Sequence, residues 1–180
     1  ERAGVVVPEQ CAEDDPDARA AFLARHGAVV VKPARGEQGR GVAVDLRTPD
    51  AVETAVEAAR VVSDAVILES FHAGDDLRLV VINYRLVAAA VRRPASVIGD
   101  GVKTIAQLIE SQSRRRAAAT GGESRIPDDE ETARCVAAAG YGMDDAPPSG
   151  TQVMVRKTAN LHTGGTIHDV TASCHPALVD

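Results

Sequence analysis

Residues 28–41 read AVVVKPARGEQGRG, and the fold turns on them. Residues 28–32 have the length and β-branched content of a buried strand, and the run ends on a lysine. A basic, glycine-rich loop follows at once, with Gly36, Gly39, Arg40 and Gly41. Glycine has no Cβ, so backbone N–H groups in such a loop can approach phosphate oxygens closely. Lys32 and Arg40 would add positive charge beside them. Residues 42–46 read as a second strand, so the loop joins a hairpin. The pattern GxxxxGK[ST] is absent, and strand–loop–strand order puts no helix N-terminus at the loop. The same residues also suit a plain hairpin with flexible glycines and a solvated lysine, and both readings stand at this point.

Upstream, Asp15 and Pro16 form a cap and first turn, and Gly27 ends the helix they open. Ala18, Ala21, Phe22 and Arg25 are expected along one side of it. Downstream, Thr48-Pro49 opens a second helix with Val52, Val56 and Ala59 inward, and residues 65–69 form a third strand. Residues 77–83 and 85–91 are two more strands about the turn Asn83-Tyr84. Thr104 caps a helix with Ile105, Leu108 and Ile109 inward, and residues 113–126 are expected as a helix end and a mobile loop. A further helix spans about 128–139, and strands at 152–157 and 166–170 close the pattern. Helices laid on antiparallel strands make an α+β architecture, divided here into residues 1–70 and 71–180.

The 180 residues are 44% hydrophobic but only 2% aromatic, so Val, Ile, Leu and Ala must build the core. A net charge of −6 disfavours nucleic acid or an anionic membrane as partner. No apolar run reaches the roughly 18 residues that span a bilayer. Cys11, Cys135 and Cys174 are scattered and form no CxxC pair, which fits a reducing cytoplasm. The chain opens ERAGVVVPEQ and stops at HPALVD, and we read it as a domain cut from something longer.

Three further stretches carry charge where chemistry could use it. In ILESFHAGDDLRLVV, residues 67–81, a strand ends on Glu69, a connector follows, then Asp75-Asp76 and Arg78. A carboxylate there could accept from ribose hydroxyls, or the acids could be a polar turn. Arg92-Arg93-Pro94 could hold a phosphate or carboxylate, or simply reach solvent. In VRKTANLHTGG, residues 155–165, Arg156, Lys157, Asn160 and Gly164-Gly165 could form a second cradle. His162, His168, Cys174 and His175 lie close in sequence, but no i, i+4 pair frames them as a zinc site. The run Arg114–Arg116 fits a solvated helix face or a closing lid.

The order of these motifs resembles the ATP-grasp superfamily of ligases. The segment RKTANLHTGG is similar to the equivalent part of glutathione synthetases, of ribosomal-protein glutamate ligases and above all of cyanophycin synthetase, while VVKPARGEQGRGV, RRPASVIGDG, QSRRRAAATGGESRIP and RKTANLHTGGTIHDVT together look most like N-acetylglutaminylglutamine synthetase. The resemblance runs from about Ala3 to Pro176. It implies an ATP-grasp fold of two α+β subdomains with nucleotide between them, truncated at both ends. It implies a carbon–nitrogen ligase that joins a carboxylate to an amine through an acyl phosphate, with ATP and Mg²⁺. A cyanophycin-type peptide ligase and a non-catalytic nucleotide-binding module are the alternatives.

By the same resemblance, Lys32 contacts ATP phosphates, and Gly36, Gly39, Arg40 and Gly41 cover them. Glu69, Ser70, Phe71 and His72 line the adenine, mostly through backbone groups, and Asp76 takes the ribose. Arg78, Arg93 and Arg156 face phosphate or the acyl phosphate, with Asn160 beside them. Arg93, Lys157, Asn160, Gly164 and Gly165 border the acceptor substrate. Lys157 stands where cyanophycin-type members carry arginine, which keeps the charge but loses a bidentate grip. The family's metal-binding Glu-x-Asn does not occur in this chain, so the metal ligands are expected beyond Asp180. The implied partners are ATP, small amino-acid or acylated amino-acid substrates and the rest of the same polypeptide, with homo-oligomerisation open.

Overall fold

The computed structural model describes residues 6–12 and 14–175. The chain divides into two units, Glu1–Ala73 and Gly74–Asp180, three residues beyond the boundary read from the sequence.

The first unit contains β1 (Gln10–Cys11), α1 (Pro16–His26), β2 (Val29–Pro33), β3 (Ala43–Leu46), α2 (Pro49–Arg60) and β4 (Val66–Ser70). The strands form one antiparallel sheet in the order β1-β4-β2-β3. Strand alternation sends Val29, Val31 and Leu68 to one face, where Phe22, Leu23, Val52, Val56 and Ala59 of the helices cover them. Val30, Lys32, Ile67 and Glu69 share the other face and stay half-buried. Both helices start as read. Asp15 accepts hydrogen bonds from the amides of Asp17 and Ala18, and Thr48 accepts from Ala51.

The buried face of α1 is set by an arginine as well as by apolar residues. Its buried residues are Arg19, Phe22 and Leu23. Ala18, Ala21, Phe22 and Arg25 share one side, where they border an open groove together with Gln10 and Cys11. Arg19 can be buried because Glu53 takes its guanidinium at 2.8 and 2.5 Å and Asp14 adds a third contact at 3.2 Å. An apolar-periodicity reading has no means of placing an arginine inward.

The second unit contains β5 (Asp76–Ile82), β6 (Arg85–Arg93), β7 (Ser96–Ile98), α3 (Ile105–Ala119), α4 (Glu130–Ala138), β8 (Gln152–Met154), β9 (Thr166–Asp169) and a 3₁₀ turn at Thr171–Ser173. One sheet runs β5-β6-β9 and a separate ladder pairs β7 with β8. Asn83 and Tyr84 both have positive φ, 50° and 61°, as a two-residue hairpin turn of the primed kind requires. The core joins Ala95, Val97, Ile105, Ile109, Ile126, Val136, Val153 and Val155.

The helix opened by the Thr104 capping box ends at Ala119, inside the stretch read as helix end and loop. Two expectations change here. The segment after this helix is anchored: the Arg125 amide donates to the His162 carbonyl at 3.0 Å and Ser124 Oγ to the Leu161 carbonyl at 2.5 Å. The strand expected over 152–157 stops at Met154, because the amides of Val155 and Arg156 both turn to the Ala95 carbonyl.

Candidate functional site

The glycine loop and its lysine form a local site in the first unit. Lys32, Pro33, Gly36, Gly39 and Arg40 border a recess of about 260 Å³. Gly39 holds φ 74°, a conformation that favours glycine, and Gln38 before it has φ 58°. Gly41 plays a different part. At φ +69° a Cβ on it would sit 3.0 Å from Pro33 and 3.1 Å from Val62, so it lets the loop return close to the sheet. The loop closes on itself through Arg40 N–H to the Glu37 carbonyl and Val42 N–H to the Gly39 carbonyl.

Lys32 Nζ lies 2.6 Å from Glu69 Oε1. Register explains the contact: Lys32 stands opposite Ile67 and Val30 opposite Glu69, so the two side chains are diagonal neighbours on one face. Gln10, directly across β1–β4 from Glu69, donates its Nε2 to the same Oε1 at 2.6 Å. Gln10 had no signal in the sequence. Its strand is two residues long and no periodicity reaches it.

The residues expected to read an adenine through the backbone are partly committed elsewhere. β4 is an inner strand, with β1 on one side and β2 on the other. The Ser70 amide donates to the Glu9 carbonyl at 2.9 Å and the Phe71 amide to the Ala28 carbonyl at 3.0 Å. Ser70 Oγ accepts from the Glu9 amide and lies 3.0 Å from His72 Nε2.

In the second unit the expected residues do not converge. Asp76 is held by Arg92 through a bidentate pair at 3.0 and 2.7 Å, not left open for a ribose. Arg78 pairs with Ala90 across the ladder, which puts it on the face of Arg92 and opposite that of Arg93. Arg156 is 3% exposed, and its guanidinium donates to Asp129 at 2.5 Å and to Thr132 at 3.1 Å. Asp129 is itself the N-cap of α4. Arg156, expected to face phosphate, here turns its charge inward and ties the segment after β8 to a helix cap.

The second glycine loop is also built inward. Asn160 organises it, its carbonyl accepting from the amides of Thr163 and Gly165 and its side chain from His162. Gly164 has φ +92°, and a Cβ there would lie 2.5 Å from Ile126. A Cβ on Gly165 would lie 2.7 Å from the Asn160 carbonyl oxygen and 3.0 Å from that of Arg93. Arg116 donates to Ser124 at 3.0 Å and to the Gly165 carbonyl, so the last arginine of the basic run is a loop anchor, while Arg114 and Arg115 are exposed. Lys157 is half-buried. Among the described residues no group of three or more His, Cys, Asp or Glu could hold a metal ion.

No protein-family model matches the chain. It is 41% identical over 151 residues to cyanophycin synthetase of Trichormus variabilis, an alignment that covers 82% of this chain and 17% of that protein. It is 34% identical over 181 residues to cyanophycin synthetase of Geminocystis herdmanii, covering 97% of this chain and 21% of the relative. The bifunctional glutathione synthetase from Pasteurella multocida superposes with a TM-score of 0.51 at 25% identity, over 99% of this chain and 25% of that one. The chain thus spans between 17% and 21% of the length of these two curated relatives. With antiparallel α+β units, a lysine-ended strand feeding a glycine loop, and these relatives, the chain belongs to the ATP-grasp ligase superfamily and carries part of its fold.

Proposed function

We propose that this chain supplies nucleotide-binding surface to an ATP-dependent carboxylate–amine ligase. The observation that carries the reading is the recess of the first unit, where Lys32, Arg40 and the backbone of Gly36 and Gly39 border one space. That donor set suits the phosphates of ATP: two cations, and glycines that leave the backbone open to close approach. In the reaction class, a substrate carboxylate oxygen attacks the γ-phosphorus and ADP leaves. An amine nitrogen then attacks the acyl carbon, phosphate leaves, and the amide bond remains. The contribution of Lys32 and Arg40 is charge neutralisation and positioning of the phosphates. Among the described residues no cluster of three or more His, Cys, Asp or Glu side chains is formed around which Mg²⁺ could be held by protein ligands alone.

Identity to cyanophycin synthetases favours a peptide ligase of the cyanophycin type. N-acetylglutaminylglutamine synthesis, suggested by the motif wording, is the second reading and uses the same two steps. A cytoplasmic setting agrees with both. Among the described residues no helix is long and apolar enough to cross a membrane.

Calorimetric titration with ATP tests the site. Lys32→Ala is expected to weaken binding by about 10- to 100-fold, the range of a lost charge-assisted hydrogen bond, with melting temperature little changed. Unaltered affinity in that variant would sink the assignment. In the whole polypeptide that carries this stretch, ADP release across candidate carboxylates then separates the two product readings.

A further inference from the structure

We propose that Gln10 is a positioning residue for Lys32, acting through Glu69. The inference rests on the phosphate-site reading of the first unit and adds to it a residue that neither the motifs nor the glycine loop contains. Three side chains form a relay across one face of the sheet: Gln10, exposed on β1, and the half-buried Glu69 on β4 and Lys32 on β2. Gln10 Nε2 and Lys32 Nζ both lie 2.6 Å from one oxygen, Glu69 Oε1. Among the described residues no third side chain donates to that carboxylate.

The arrangement matters because Lys32 cannot serve two anions equally. The Glu69 side chain is 18% exposed, so its carboxylate is largely shielded from water, whereas the lysine is 33% exposed at the edge of the recess. When the ammonium turns toward a phosphate, Glu69 loses its cation. A shielded carboxylate with no donor left is strongly disfavoured. The Gln10 N–H stays with it, so the lysine can be released without orphaning the acid. Gln10 also fixes which carboxylate oxygen faces Lys32, and so where Nζ rests before nucleotide arrives. Removing the amide tightens the hold of Glu69 on Lys32 and withholds charge from the phosphate.

The test is a double-mutant cycle read in ATP affinity, by calorimetry on the chain, with urea denaturation run beside it. Gln10→Leu is expected to weaken ATP binding about fivefold, less than a full hydrogen bond to a charged group because the amide acts on the phosphate only through Glu69. In a Glu69→Gln background the same substitution is expected to change affinity less than twofold, because the charge it serves is gone. A purely structural Gln10 would alter denaturation midpoints but leave ATP affinity per folded molecule unmoved. An unchanged affinity in Gln10→Leu, or equal losses in both backgrounds, overturns the proposal. Failure of the underlying site reading shows itself differently: the wild-type chain then binds no ATP, or binds it without regard to Lys32→Ala, and the proposal falls with it.

Discussion

Two loops in this molecule share a sequence signature and differ in what the glycines are for. In the first unit, the loop after Lys32 opens onto a recess, and a Cβ on Gly36 would meet nothing closer than Val62 at 3.5 Å, an ordinary contact. In the second unit, Gly164 and Gly165 are buried and wedged against Ile126, Ala95 and the carbonyl oxygens of Asn160 and Arg93. On the phosphate-site reading, Gly36 and Gly39 of the first loop let a ligand come close from outside, while Gly41 serves packing. The second is glycine-rich so that its own chain can pack. A glycine pair next to an arginine and an asparagine therefore says little until its surroundings are known.

Substitution at matched positions breaks the comparison most sharply. Gly164→Ala forces a side chain into Ile126 at a positive φ, and about 3 kcal/mol of stability is expected to be lost from the second unit, the sum of overpacking and backbone strain. Gly36→Ala should change stability by less than about 0.5 kcal/mol and be felt in ATP affinity instead. Urea denaturation of both variants, with ATP titration of each, decides it. A tolerated Gly164→Ala would mean that the second loop yields, and the contrast with the first would be lost.

Arg156 sharpens the same contrast. Arg156→Met removes the buried cation that joins Asp129 and Thr132. A loss of about 2 kcal/mol is expected, below the value for a fully buried pair because the Asp129 side chain is 44% exposed. ATP affinity of the folded fraction should hold. The opposite pattern, intact stability with lost nucleotide affinity, would restore the phosphate-facing role expected from the motif.

How far the sequence reached follows from these cases. Helix starts were legible because Asp15, Thr48 and Thr104 act on their own next few amides. The first-unit recess was legible for a like reason, since Lys32, Gly36, Gly39 and Arg40 are neighbours in the chain. β1 and β7 escaped because two or three residues carry no periodicity. The placing of Arg78 and Arg93 on opposite faces follows from a single bulge. A regular hairpin about Asn83-Tyr84 sets Ile82 against Arg85 and would have put both arginines on one face. The register shift between Val80 and Val81 slips the ladder by one residue and sends them to opposite faces. Arg19 and Arg156 could not be placed because a buried arginine depends on partners distant in sequence, Glu53 for one and Asp129 for the other.

The two buried arginines allow one more, smaller test, in acid. In the first unit the Arg19 guanidinium, by hydrogen bonding to Glu53, holds that carboxyl below its ordinary value of 4.5, and the glutamate in turn raises Arg19. A depressed carboxyl stabilises the fold fully above its unfolded pKa, and the contribution fades as pH falls through the lower folded value. The Glu53 side chain is 42% exposed, so solvent screens the pair and the effect is expected to stay under about 1 kcal/mol. Urea midpoints of the wild type and Glu53→Gln should therefore differ near neutrality and converge as pH drops below the usual carboxylate range. If the gap persists undiminished in acid, Glu53 stabilises the first unit through packing of its stem and not through the charge it shares with Arg19.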